Sequence, residues 1–191
     1  MKGTDAIVVG ASAGGVSALL TVFAALPADY AIALLCVLHL PDDRHSQLAE
    51  VFSRRLQRPV QEARDKESVV PGMIYVAGPG YHLSVERDRS LSLSQEDRVH
   101  FSRPSIDILF ESAADAYGDG LVGVLLTGAN EDGARGLARI KEHGGTTLIQ
   151  DPHEAQVAVM PEAALALHRP DHILPLNGIG QLLAKLEPRA C

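Results

Sequence analysis

Short apolar runs alternate along the chain with segments whose apolar residues recur every three or four positions. The first run, 6–9, ends in a glycine-rich turn at 10–15, and a segment with helical spacing follows. The next run, 31–38, is apolar throughout, which is typical of a strand buried on both faces of a parallel sheet. Another helical segment comes after it, so the pattern predicts strand–helix–strand units.

The second half of the chain repeats this design. An apolar stripe runs along 106–117 and stops at Gly118, as a helix closed by a glycine does. The later segments are a strand at 121–126, a helix ending near 143–145, a strand at 146–149, a helix from Pro161, a strand near 172–174 and a helix at 179–186. We therefore predict an α/β fold with a doubly wound, mostly parallel sheet and helices on both faces.

Residues 71–94 do not follow the alternation of strands and helices. Three short apolar runs lie there, separated by Gly78-Pro79-Gly80 and by the charged run 86–89. This spacing predicts a β-hairpin insertion at about 71–94 within a single domain that spans 1–191.

Composition and charge narrow the function classes. The 191 residues are 46% hydrophobic, 21% charged and 4% aromatic, with a net charge of −7, which disfavours a disordered chain and binding to nucleic acid or anionic lipid. Cys36 lies in an apolar run and Cys191 at the chain end, so no disulfide framework is indicated. The first apolar run breaks at Gly10, too early for a signal sequence or a membrane-spanning helix. We expect a cytoplasmic protein that does not insert into membranes.

Three of the predicted strands end in loops that carry reactive side chains, namely Ser12, His39 and Asp132. Ligands collect beyond the carboxyl ends of the strands in such a sheet, so we expect these side chains to meet there. Residues 10–14 fit Gly-x-Ser-x-Gly, whose glycines allow a tight strand-to-helix turn that projects a serine. A serine hydroxyl needs a histidine base and a carboxylate that orients the base, and these residues supply that set.

Other interpretations of the same residues stay open. A glycine-rich first turn is also typical of a phosphate-binding loop, although Ser12 stands where the dinucleotide fingerprint has glycine. His39 also fits a structural histidine at a strand end, and Asp132 fits the N-cap of the helix that follows it. His82, in the predicted insertion, is the rival general base.

The remaining histidines lack the spacing of metal ligands, so no metal site is predicted. His45 and His143 are interpreted as helix-end residues. A local basic cluster fits either a solvated helix face or a docking patch. Its members are Arg54, Arg55, Arg58 and Arg64.

Several segments together resemble a known family. They are Ile-Val-Val-Gly-Ala-Ser-Ala-Gly-Gly at 7–15, Leu-His-Leu-Pro at 38–41, Ser-Arg-Pro-Ser-Ile-Asp at 102–107, Leu-Thr-Gly-Ala-Asn-Glu-Asp-Gly-Ala at 126–134, Gln150-Asp151-Pro152 and Met160-Pro161-Glu162-Ala163. In order and spacing they resemble the catalytic domain of the chemotaxis protein-glutamate methylesterase family, CheB. The resemblance covers nearly the whole chain and implies the same doubly wound α/β fold.

The resemblance implies a substrate and a mechanism. The substrate is the methyl ester of glutamate side chains on the cytoplasmic helices of chemoreceptors, with glutamine deamidation as a second activity. Ser12 is the implied nucleophile, His39 the general base and Asp132 the residue that orients it, and no cofactor is required. The backbone N–H groups of Ala13 and Ala129 are the implied oxyanion donors.

The chain differs from the family pattern at several positions. Leu38 stands where the family commonly has glutamine, and Ala129-Asn130 stand in its Thr-Gly-Met-Gly run. The first predicted strand begins within the first ten residues, so we expect the family's N-terminal receiver domain to be absent. Either the protein is a stand-alone esterase, on which a separate receiver protein can act in trans, or the chain is part of a longer protein. Two hypotheses from other classes stay open, a phosphate- or nucleotide-binding module and a catalytically silent chemosensory scaffold.

Overall fold

A computed structural model describes residues 3–39 and 47–189 of the chain. The strands are β1 (Ala6–Ala11), β2 (Ala33–Leu38), β3 (Val60–Glu62), β4 (Ile74–Val76), β5 (His82–Val85), β6 (Leu91–Ser94), β7 (Leu121–Leu125), β8 (Thr146–Gln150) and β9 (His172–Leu174). The α-helices are α1 (Gly15–Ala24), α2 (Leu48–Leu56), α3 (Ile106–Tyr117), α4 (Ala134–Glu142), α5 (Val159–Leu167) and α6 (Leu176–Leu183).

The main sheet has the strand order β3-β4-β2-β1-β7-β8-β9, and every neighbouring pair is parallel. The central strands β1, β2 and β7 are buried along their whole length, as their apolar runs predict. The chain proceeds from β1 to β2 on one side and reaches β7 on the other. The carboxyl ends of these three strands therefore flank the point where the strand order reverses.

Helices cover both faces of the sheet, as predicted. On one face α3, α4 and α5 pack against inward side chains such as Ala6 and Val8. On the other face α1, α2 and α6 pack against the alternate side chains, such as Ile7 and Val9. This alternation follows from the two-residue period of a strand, which sends successive side chains to opposite faces.

The hairpin insertion is present, but its predicted start at residue 71 is wrong. Only β5 and β6 form an antiparallel pair, from His82 to Ser94. The run 74–76 is β4, which pairs in parallel with β2 in the main sheet. A buried strand of three residues beside Gly78-Pro79-Gly80 gives the same local pattern as one arm of a hairpin, so the sequence did not separate the two cases.

The remaining elements follow the prediction with shifted ends. Helices α5 and α6 begin two and three residues before the predicted starts at Pro161 and 179. The short strand β3 was not predicted, because two of its three residues are only half-buried and the third is exposed. Cys36 is a buried free thiol. No helix in the described ranges is long and apolar enough to cross a bilayer, and His45 and Cys191 lie outside the described residues.

Candidate active site

Ser12 lies in the tight turn between β1 and α1. Its backbone N–H donates to the Thr127 carbonyl at 2.9 Å, and its carbonyl accepts from Gly15 at 2.8 Å. Gly14 has φ +79°, which favours glycine, and a Cβ there would come within 2.5 Å of the Gln156 side chain. The turn thus requires the glycine that the motif supplies.

Ser12 and His39 line one cavity of about 430 Å³ at the carboxyl edge of the sheet. Its other lining residues are Gly14, Gly15, Val16, Ser17, Leu20, Leu38, Val51 and Arg55. Asp132 is absent from this lining because its side chain is completely buried behind the His39 ring. The cavity therefore exposes a hydroxyl and an imidazole to a ligand, with the carboxylate screened from solvent.

The His39 ring is bonded to Asp132. Its Nε2 lies 2.8 Å from Asp132 Oδ2, and only 11% of the histidine side chain is exposed. An ionised carboxylate can only accept, so Nε2 carries the proton and Nδ1 is the nitrogen that is free to take one. The acid and the base predicted from sequence are thus brought together.

The Asp132 carboxylate is held by three further donors. Its Oδ1 accepts from Ser105 Oγ at 2.8 Å and from the Asp107 N–H at 3.0 Å, and its Oδ2 accepts from the Ile106 N–H at 2.7 Å. These amides belong to the first turn of α3, whose partial positive charge favours an anion. Asp132 therefore caps a helix, but it caps α3 and not the helix that follows it in sequence.

Two opposing effects act on the Asp132 carboxyl. Burial is the largest single influence and would raise its pKa, but the hydrogen bonds from His39 and from the N–H groups of Asp107 and Ile106 together outweigh it. The pKa of Asp132 is therefore held below its usual range. The group is ionised at neutral pH and can orient the imidazole.

Asp107 occupies the matching position at the start of α4. Its Oδ1 accepts from the N–H groups of Gly133 and Gly136 at 3.0 and 2.7 Å. Burial raises the pKa of Asp107, and the nearby Asp132 charge adds to the rise. Its Oδ2 is buried and accepts no hydrogen bond from any described residue. Sequence reasoning missed this aspartate, because its partners lie 26 and 29 positions away.

A second serine approaches the His39 imidazole. Ser102 Oγ lies 3.4 Å from His39 Nδ1, the nitrogen that does not contact Asp132. Ser12 Oγ makes no hydrogen bond within the described ranges, and catalytic contacts are often long before the substrate arrives. Ser102 lies in the segment 102–107 that contributes to the family resemblance, but the sequence pattern gave no reason to place it beside His39.

The rival base His82 is engaged elsewhere. It is fully buried on β5, its Nδ1 accepts from the Ser105 N–H at 3.1 Å, and its Nε2 lies 3.0 Å from the Asp97 carbonyl. Both ring nitrogens thus bond to backbone groups. His82 fixes the segment that presents Ser105 to Asp132, which is a positioning role.

The two predicted oxyanion donors lie in neighbouring loops. Within the described part of the chain, the N–H groups of Ala13 and Ala129 donate to no other residue. Thr127 joins these loops, since its Oγ1 lies 2.8 Å from the Ala13 carbonyl and 2.9 Å from the Val157 N–H. The loop after β7 is thus tied directly to the turn that carries Ser12.

One cluster has metal-ligand geometry. Ligand atoms of His100, Asp107 and Asp132 lie within 4.8 Å of one another. Each Asp132 oxygen already accepts two hydrogen bonds, so a cation there would have to displace helix amides or His39. The arrangement is accounted for by the capping of α3 and α4 and by the bond that orients His39.

The basic residues singled out in the sequence have separate environments. Arg54 pairs with Glu50 at 2.6 Å on an exposed helix face, and Arg58 bonds to the Pro27 carbonyl. Arg55 instead lines the cavity that holds Ser12. His143 is the C-cap of α4, as its interpretation as a helix-end residue predicted.

A serine and a histidine facing one cavity, with a buried carboxylate behind the histidine, form an arrangement typical of serine hydrolases. The family profile described as CheB methylesterase matches residues 7–183. The chain therefore belongs to the CheB methylesterase family, which confirms the resemblance seen in the sequence.

Relatives and a solved structure agree with this assignment. A protein of Leptospira interrogans named as a protein-glutamate methylesterase/protein-glutamine glutaminase is 43% identical over 183 residues, which cover 96% of this chain and 95% of that protein. A Pseudomonas aeruginosa protein with the same designation is 39% identical, and the match covers 94% of this chain but 54% of the relative. The crystal structure of the Thermotoga maritima CheB methylesterase catalytic domain superposes with a TM-score of 0.90 at 29% identity, covering 95% of this chain and 98% of that one.

Proposed function

We propose that this chain is a serine esterase that hydrolyses methyl esters of glutamate side chains on the cytoplasmic helices of chemoreceptors. The observation that carries the proposal is the 2.8 Å bond between His39 and buried Asp132, with His39 and Ser12 lining one cavity. Ser12 is the nucleophile, His39 the general base and Asp132 the group that orients it. The names of the relatives support the choice of substrate.

The first half of the reaction forms an acyl-enzyme. His39 Nδ1 takes the Ser12 proton as Oγ attacks the ester carbonyl, and the carbonyl oxygen becomes an oxyanion facing the N–H groups of Ala13 and Ala129. Asp132 keeps Nε2 protonated and stabilises the imidazolium that forms. The tetrahedral intermediate collapses, His39 returns the proton to the methoxide oxygen, and methanol leaves.

Water completes the cycle. It loses a proton to His39, attacks the acyl carbonyl and releases the glutamate carboxylate, while the proton returns to Ser12. The net reaction consumes one water and yields methanol and a carboxylic acid that ionises at neutral pH. A glutamine side chain can follow the same path with ammonia as the leaving group, which gives the deamidase activity. The steps use only protein groups and water, so no cofactor is proposed.

The cytoplasmic location follows from this substrate, and a regulatory partner is proposed with it. The protein acts in the cytoplasm, where the receptor helices lie, and a separate receiver protein regulates it in trans. Adding a phosphorylated receiver to a turnover assay tests the second point. An unchanged rate over a range of receiver concentrations contradicts it.

Methanol release from a methylated receptor helix tests the activity. The intact protein is compared with Ser12→Ala, His39→Ala and Asp132→Asn, and with Ser53→Ala as a matched serine variant away from the cavity. We expect turnover by the intact protein and by Ser53→Ala, and losses of several orders of magnitude in the other three.

Two results contradict the proposal. Full activity in Ser12→Ala would show that Ser12 is not the nucleophile. A silent parent protein whose melting temperature rises with a phosphorylated ligand, also in Ser12→Ala, favours the phosphate-binding hypothesis instead.

A further inference from the structure

Arg55 is a cation on the wall of the catalytic cavity, in the last turn of α2. Its neighbours on the chain are already engaged, since Arg54 pairs with Glu50 and Arg58 bonds to the carbonyls of Leu26 and Pro27. Within the described residues, Arg55 has neither an ion-pair partner nor a hydrogen-bond partner. A guanidinium carries five donors, so this one is available to a ligand.

The cavity continues from Ser12 as a groove between two helices. Val16 and Leu20 lie one turn apart on α1, and Val51 and Arg55 lie one turn apart on α2. Val16 and Val51 are 41% and 40% exposed, so the groove offers apolar surface to a bound chain. The groove thus combines an apolar surface with one positive side chain, Arg55. Such a surface suits an amphipathic helix that carries an acidic side chain.

Arg55 lies toward the end of the groove away from the nucleophile. Both helices follow strands of a parallel sheet and return antiparallel to them, so their later turns recede from the edge that carries Ser12 and His39. Arg55 lies about 6 Å beyond Val51 along the axis of α2, because each residue adds about 1.5 Å. The groove therefore presents its cation about one helical turn beyond Val51, on the side away from Ser12.

The chemistry of the proposed substrate indicates which group Arg55 can bind. A glutamate methyl ester is neutral, so the reacting group itself gives a guanidinium no charge to bind. The chain has a net charge of −7, which repels an acidic peptide unless a local cation receives it. A carboxylate pairs with a guanidinium through two parallel hydrogen bonds.

We infer that Arg55 is a specificity-determining residue that binds a carboxylate on the substrate helix about one turn from the esterified glutamate. The inference rests on the proposed esterase function and adds to it a preference for acidic surroundings of the ester. The esterified side chain enters at Ser12 while the neighbouring acid is held by Arg55.

Matched peptides test this preference. Each helical peptide carries one glutamate γ-methyl ester and has Glu, Gln or Lys four residues before or after it. For the parent protein we expect kcat/KM to be about tenfold higher with Glu than with Gln in one of the two placements, as one charge-assisted contact supplies. Arg55→Gln brings this ratio close to one, Arg55→Lys keeps a ratio above one, and Arg55→Glu shifts the preference to the Lys peptide.

Arg54→Gln is the matched control, because it removes a neighbouring arginine that pairs within its own helix. It should retain the parent ratio. A parent ratio of one in both placements, or a ratio that survives in Arg55→Gln, overturns the inference. Because the readout is a ratio between peptides, a general loss of folded enzyme does not imitate the expected result.

Binding measured without turnover separates this inference from the proposed function. In the Ser12→Ala background, fluorescence anisotropy of the labelled Glu peptide should give a Kd about tenfold weaker when Arg55→Gln is added. If the parent releases no methanol but this difference in Kd is found, the esterase function fails and the carboxylate site stands. If methanol is released and the Kd values are equal, the esterase function stands and the role of Arg55 is wrong.

Discussion

Asp107 and Asp132 each accept the free amide hydrogens at the start of the other's helix. Asp132 precedes α4 yet bonds to the N–H groups of Ile106 and Asp107 at the start of α3. Asp107, in the first turn of α3, bonds to Gly133 and Gly136 at the start of α4. The exchange satisfies four amides that a helix start leaves unpaired. It also fixes the carboxylate that holds His39.

Two Asp107 variants should show whether stability depends on the hydrogen bonds that this side chain accepts or on its negative charge. Asp107→Ala leaves two buried N–H groups without an acceptor, which costs about 1–3 kcal/mol for each group in the free energy of unfolding. Asp107→Asn keeps one carbonyl oxygen and removes a buried charge, so we expect it to lie within about 1 kcal/mol of the parent. Urea unfolding at neutral pH measures both. Equal losses in the two variants would show that the charge, and not the acceptor, is what the helix needs.

The same aspartate makes stability depend on pH. Burial raises the pKa of Asp107 above 3.8, so above that pH the folded protein keeps a proton that the unfolded chain has released. Its contribution is complete below 3.8 and is lost as the pH rises through the folded pKa. Asp132 acts in the opposite sense, since its lowered pKa gives stability that is lost as the pH falls below 3.8.

Unfolding in urea over a series of pH values isolates the Asp107 contribution. The difference in unfolding free energy between the parent and Asp107→Asn should decline as the pH rises above 3.8 and then become constant. A difference that does not vary with pH contradicts the raised pKa. Circular dichroism of both proteins at each pH checks that the folded baseline is the same.

Asp132→Asn should lose catalysis without losing the fold. Asparagine retains one acceptor for the start of α3 but places an NH₂ group among donors, which disfavours the tautomer that leaves His39 Nδ1 free. Comparable changes in other triads lower kcat by about 10⁴. Methanol release at matched folded fraction measures the effect, and a loss below about tenfold would mean that Asp132 is only structural.

Ser102→Ala tests whether Ser12 or Ser102 is the nucleophile. Ser102 Oγ lies 3.4 Å from Nδ1, a long contact whose loss should change kcat by less than about tenfold. Ser12→Ala should abolish turnover. Labelling with an organophosphorus ester, followed by peptide mapping, should modify Ser12 in the parent and in Ser102→Ala alike. A label on Ser102 in the parent would assign the nucleophile to that residue.

His82 variants test whether this histidine positions the site or takes part in proton transfer. His82→Leu removes the partner of the exposed Asp97 and the acceptor of the buried Ser105 N–H, and the loss of that acceptor costs about 1–3 kcal/mol. His82→Gln retains groups able to bond to both and should recover much of the stability. We expect both variants to keep a far larger share of kcat than His39→Ala, whereas a general base would lose it equally in all three.

The sequence predicts the central strands and the loops that follow them well, because these features are encoded by local patterns of residues. The buried strands β1, β2 and β7 are continuous apolar runs, and the reactive residues follow them at one edge of the sheet. The motif around Ser12 includes the glycine that the left-handed backbone at 14 requires. Burial of β4 depends on its pairing with a distant strand, so the local pattern does not distinguish its three residues from an arm of the hairpin.

The residues that hold Asp132 and His39 in place were harder to predict. Asp107, Ser105 and Ser102 act across 25 to 63 positions of sequence on Asp132 and His39. Such contacts leave no periodic signal in the chain. The one local sign was Ser105 at the N-cap of α3, where its Oγ accepts from Ile108 and at the same time contacts Asp132.

The pairing of β5 with β6 affects the orientation of His39, although neither strand belongs to the main sheet. His82 stands opposite Ser94 in this hairpin, and its buried ring supports the segment that bonds to Asp132. Side chains alternate along a strand, so a slip of one residue would turn His82 to the face where Leu83 packs in the apolar core and would place Leu83 against Ser105. The register of this small hairpin therefore determines whether the His39 imidazole is aligned. An insertion or deletion is tolerable at the turn of the hairpin but not within its strands.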